Sequence, residues 1–103
     1  MDLSIEVEDI RIICDEIRIK SENIQIGQRN YSLCTLDPSS HLSPLLDVLT
    51  GVEIPAFPAT LGEISNLNGF EAVRILRALQ QPRPALLSEM RERIRRAAMN
   101  QLY

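Results

Sequence analysis

The sequence has no tryptophan, and two tyrosines and two phenylalanines are its whole aromatic content. A core built on large aromatic side chains is therefore excluded. Cysteine is as scarce: Cys14 and Cys34 lack CxxC or Cys/His spacing, and two are too few for a disulfide framework. They read as free buried thiols in a reducing compartment. No stretch approaches the roughly 20 uninterrupted apolar residues of a membrane span, so none is expected. The opening MDLSIEVEDI is acidic where a signal peptide needs basic residues and an apolar run. The expectation is cytoplasmic synthesis of a chain that starts at Met1.

What is present is one domain's worth of chain: 103 residues, 45% hydrophobic and 24% charged. A net charge of -3 and a pI near 5.1 argue against nucleic acid as a partner. The charge is unevenly placed. Residues 1–69 hold eleven acidic and four basic side chains, net -7, and residues 70–103 hold three and seven, net +4. Such a dipole suits head-to-tail contacts between subunits and fixes no fold. The basic end has neither a helix-turn-helix signature nor an aromatic stacking set.

A repeat dominates residues 3–33. Apolar pairs separated by one residue recur every seven: Leu3/Ile5, Ile10/Ile12, Ile17/Ile19, Ile24/Ile26 and Tyr31/Leu33. A coiled coil needs apolar spacings of three and four, whereas a spacing of two puts both side chains on one face of a strand. Isoleucine, β-branched, suits a pleated surface. Polar bends such as Lys20-Ser21-Glu22-Asn23 and Gly27-Gln28-Arg29-Asn30 separate the pairs, and no Gly or Pro precedes Gly27 to make tight hairpins. The reading is of short strands winding about an axis, with Ile10, Ile12, Ile17, Ile19, Ile24 and Ile26 inward and Arg11, Arg18 and Gln25 outward. Some thirty residues are too few for a one-chain solenoid, so several copies would share the axis. A small sheet in a monomeric α+β domain also accounts for the pattern.

Residues 3–33, with IRIICDEIRIKSENIQIG at their centre, resemble the β-helical stem of spike and baseplate proteins of phage tails and related contractile injection systems. That resemblance implies three chains wound into a prism with the isoleucine pairs inside, and a place in a virion or injection-system particle. The His-x-His iron site of some spike tips is missing, since His41 is the only histidine.

The remainder reads as helical. Leu36-Asp37-Pro38-Ser39-Ser40 breaks the repeat, and Ser43-Pro44 caps a short helix ending at Gly51. Residues 52–58, with Pro55 and Pro58, form an extended strap. Asn68 caps a helix from Gly69 to about Gln81, stopped by Pro82 and Pro84. A last helix begins near Pro84 with an amphipathic face of Leu87, Met90, Ile94 and Ala97, continued by Gln101. Its arginines, including Arg91 and Arg95, form a solvated face or a dock for an acidic partner, with Glu89/Arg93 and Glu92/Arg96 spaced to pair. Leu87, Met90, Ile94, Arg91 and Arg95 are the candidate partner-docking residues.

Chemistry is sparse. Asp37, Ser39, Ser40 and His41 are too close in sequence to converge as a triad, and no phosphate loop, HExxH or calcium loop occurs. No catalytic residue, metal site or cofactor is expected. The fold expectation is α+β, with an N-terminal β repeat over 1–36 (in its oligomeric form an intertwined trimeric β prism), a loop with a short helix and strap over 37–68, and a helical region over 69–103. Two functions fit: a non-enzymatic structural subunit of a homo-oligomer, trimeric and phage-tail-like, contacting copies of itself and other subunits; or a small soluble inhibitor- or antitoxin-like adaptor that binds a protein through its helical face.

Overall fold

No proline occurs before Pro38 and no glycine before Gly27, so nothing in the first third of the chain breaks a helix. In the computed structural model, which describes residues 3–100 and their side chains from Asp15 onward, α1 is one α-helix over Leu3–Leu36. Its 34 residues make a rod of about 51 Å. The N–H of Asp37 bonds the Leu33 carbonyl at 2.9 Å and Pro38 ends the element.

This overturns the α+β expectation. There is no β repeat and no shared β prism: among the described residues the one β pairing is an isolated antiparallel bridge between Leu46 and Glu53. The reason is geometric. Residues two apart lie about 200° apart on a helix, so each isoleucine pair splits between opposite faces rather than sharing one. Ile19 and Ile26 are buried, while Ile17 and Ile24 are exposed beside Arg18 and Gln25. Ile10, Ile12 and Arg11 lie outside the described side chains. β-branching lowers helix propensity by only tenths of a kcal/mol per residue, a weak prior that packing overrides.

The short helix expected over 43–51 is absent as well. Asp47 Oδ1 accepts the N–H groups of Leu49 at 2.8 Å and Thr50 at 3.3 Å, drawing them into a turn that a helix would not tolerate. Gly51 then takes φ +74, and Asp47 N–H bonds the Val52 carbonyl at 2.8 Å to close a hairpin-like loop. The helix in this region is instead α2, Leu61–Ser65. Thr60 Oγ1 accepts from the Glu63 N–H at 3.2 Å, and Glu63 Oε2 accepts the Ala59 N–H at 2.6 Å. Thr60-x-x-Glu63 is the capping-box spacing, a signal in the sequence that went unused.

α3 spans Gly69–Ala78, with Asn68 Oδ1 accepting from the Glu71 N–H at 2.8 Å. It stops short of Gln81 because Gln80 adopts φ +55. α4 spans Leu87–Ala98, starting three residues beyond Pro84; Gln101 lies outside the described residues. The core is one cluster in which Leu45, Ile64, Ile75, Leu76 and Ile94 are fully buried, joined by Ile26 and Cys34 from α1. Every member is aliphatic or sulfur-bearing, as the aromatic poverty of the chain requires. The molecule measures 53 × 30 × 25 Å, its long dimension close to the length of α1.

Candidate functional site

α1 carries two seams. The first is Ile19, Asn23, Ile26, Asn30 and Cys34, spaced four, three, four and four, a helical stripe that faces the body. Ile19, Ile26, Asn30 and Cys34 are buried and Asn23 half-buried. The two asparagines grip main chain rather than side chains. Asn23 exchanges both of its amide bonds with Leu46, donating to its carbonyl at 3.0 Å and accepting from its N–H at 2.7 Å. Asn30 does the same with Ser43, at 3.1 and 2.8 Å, and also donates to the Ala98 carbonyl at 3.0 Å. Gly27 permits the close crossing of α1 and the end of α4: a Cβ there would sit 2.7 Å from Asn100 Cβ.

The second seam lies on the opposite face and stays largely exposed. Ile17 is 58% exposed, Ile24 48% and Tyr31 48%. Ser21 and Gln28 stand between them, exposed and uncharged, so that 17, 21, 24, 28 and 31 follow the four-three alternation of a coiled-coil seam. In the sequence the alternation runs back through Cys14, Ile10, Val7 and Leu3. Nine seam positions thus hold no charge in a helix otherwise rich in them. A four-three spacing was there all along, beneath the more conspicuous pairs spaced by two.

Beside Tyr31 the seam opens into a groove of about 620 Å³ between Gln28 and Ser32 of α1 and Arg95, Arg96 and Met99 at the end of α4. Glu92 Oε1 bonds Arg95 at 2.6 Å and Arg96 at 2.9 Å. Hydrogen bonds from Arg95 and then Arg96 hold the Glu92 carboxyl at about 2. Glu92 thus bridges two guanidiniums at this wall.

The proposed docking face of the last helix is placed differently. Met90 and Ile94 are buried in the chain's own core and Leu87 is half-buried against it, so this stripe covers α2 and α3. Arg91 donates to the Leu67 carbonyl at 2.7 Å and Arg95 to Glu92. An apolar trough, of about 1050 Å³, runs beside Leu49 and Phe70, which are 68% and 82% exposed.

Asp37 Oδ1 is engaged by the N–H and hydroxyl of Ser39 at 3.0 and 2.7 Å, which lowers the Asp37 pKa. His41 is exposed on the same loop. Burial, and then the charge of Asp37, raise the Cys34 thiol pKa, which disfavours the reactive thiolate. Among the described residues no group of three His, Cys, Asp or Glu side chains is arranged to hold a metal, and no helix is long and apolar enough to cross a membrane. No protein-family model matches the chain, and neither the curated proteins nor the solved structures include a significant match to it.

Proposed function

We propose that the protein is a non-enzymatic assembly subunit that binds copies of itself through α1, the body serving to brace that helix. The observation that carries this reading is the uncharged, exposed seam of Ile17, Ser21, Ile24, Gln28 and Tyr31. A surface helix in a self-contained domain normally places charge opposite its buried stripe, and apolar residues at heptad spacing over several turns are the signature of helix pairing. Burying Ile17 and Ile24 between copies would contribute roughly 1.5–3 kcal/mol each. The phage-tail spike reading loses its ground, since it rested on strands.

Light scattering of the intact chain across micromolar concentrations tests the proposal. The expected result is a dimer or larger species that Ile17→Glu/Ile24→Glu converts to monomers with helical circular dichroism intact. A native chain that stays monomeric up to about 100 µM, far above the dissociation constants of specific complexes, would overturn it. The adaptor reading would then lead, through the trough beside Leu49 and Phe70.

A further inference from the structure

The exposed seam of α1 sorts its residues by chemistry. Counted in spacings of four and three from Ile17, one row holds Ile17, Ile24 and Tyr31, the d positions of a heptad, and the other holds Ser21, Gln28 and Thr35, the a positions. All six side chains are exposed. The large apolar surfaces lie in the d row, and the a row carries only hydroxyls and an amide.

On the self-assembly reading above, on which this rests, we infer that copies of α1 lie parallel and in register and that Gln28 sets their alignment. In a parallel pair each seam position meets its own copy. Ile17, Ile24 and Tyr31 then bury apolar surface against identical surface, and two Gln28 amides, each both donor and acceptor, satisfy one another. In an antiparallel pair the a row of one helix meets the d row of the other, so Gln28 is enclosed against isoleucine with its amide unpaired, and a polar group buried without a partner is costly. A single polar residue at an a position fixes register and oligomer state in this way. Ser21 and Thr35 discriminate less, since a hydroxyl on a helix can bond the carbonyl four residues back, as Thr35 does to Tyr31 at 2.7 Å.

One antiparallel register offers Gln28 a polar partner, the hydroxyl of Tyr31. Centred between positions 29 and 30, it runs from the end of α1 at Leu36 back only to position 23 and leaves Ile17 in water. The flanks agree with the parallel arrangement as well. Contacts beside a parallel seam join positions five apart, which sets Lys20 against the uncharged Gln25 of the other copy and opposes no like charges there.

Two measurements on the full chain test this, both in a Cys14→Ser background with Cys34 buried. Position 21 meets its own copy on the seam only when the helices are parallel. Ser21→Cys should therefore form an interchain disulfide in glutathione buffer at least about tenfold more readily than Glu22→Cys, which points away from the seam. An assembled chain in which the two cross-link equally would overturn the direction and leave self-assembly standing; a monomer would overturn both. For Gln28, nitroxides on Thr35→Cys should show one close population in the native sequence. Gln28→Leu should tighten association by at least about tenfold and add a population near 27 Å, because with Ile24 opposite position 28 in an antiparallel pair, position 35 faces position 17, eighteen residues from its own copy. Gln28→Asn should keep the single close population. A Gln28→Leu chain that associates no more tightly, or that keeps the single population, would remove Gln28 as the residue that sets the alignment.

Discussion

Asn30 donates a hydrogen bond of 3.0 Å to the carbonyl of Ala98, 68 residues further along the chain, and its side chain is wholly buried. The carbonyl belongs to the last turn of α4, where no intrahelical donor remains. The same amide also serves both main-chain groups of Ser43. One side chain thereby satisfies three main-chain groups from two parts of the molecule, the bond to Ala98 being fully buried.

Asn30→Ala should therefore strand several groups at once, at about 1–3 kcal/mol for each one left buried without a partner. Asn23→Ala should cost less, since Asn23 and Leu46 are half-exposed and water can replace the amide. Urea unfolding with linear extrapolation would measure both, and a loss below about 0.5 kcal/mol for Asn30→Ala would mean that the network relaxes around the gap.

Gly27→Ala reverses the usual rule for helices. Alanine inside a helix is normally better than glycine by about 1 kcal/mol, but here its Cβ would come within 2.8 Å of the Asn100 main-chain nitrogen. Backbone cannot swing away as a side chain does, so α1 and α4 must part, and a net loss of about 1–3 kcal/mol is expected. A rise in melting temperature would show that the crossing is looser than its geometry implies.

Acid should loosen the end of α4. The Glu92 carboxyl lies at about 2, below its ordinary 4.5, because Arg95 and Arg96 donate to it. A depressed acid contributes stability that is complete above about 4.5 and lost as the pH falls towards 2. The side chain is 42% exposed, so solvent screening holds this contribution to at most about 1 kcal/mol. Comparing the pH dependence of unfolding for the native chain and Glu92→Gln would isolate it: the difference should vanish near pH 2, and a difference that persists there would assign the effect to packing.

The parts of the fold legible in the sequence are those whose signals are local. Asn68 marks the start of α3, and the spacing of Met90 and Ile94 marks the buried stripe of α4. α1 was misread because two stripes seven residues in period, on opposite faces, interleave into pairs spaced by two, which mimics a strand. The absence of Gly and Pro before Gly27 argues for a helix as much as it argues against tight turns. The roles of Asn23 and Asn30 had no local signal: their partners lie 13 to 68 residues away, and an asparagine in a polar-looking bend does not announce that it is buried. Their fit to the 19–23–26–30–34 stripe was the one trace available. The outer seam is legible only as a four-three alternation that no charge interrupts, a pattern the inner seam shares.

The distance in sequence between Asn30 and Ala98 also sets an order of events during synthesis. α1 leaves the ribosome first, while the carbonyl that completes the cradle of its inner seam is made 68 residues later, on the order of 3–14 s at ordinary elongation rates. Ser43 and Leu46, the other partners of the inner seam, follow within 13 to 23 residues, so the seam is covered in two stages. The contacts of Asn30 with Ser43 are therefore available well before the one with Ala98, and the docking of α4 completes the cradle last.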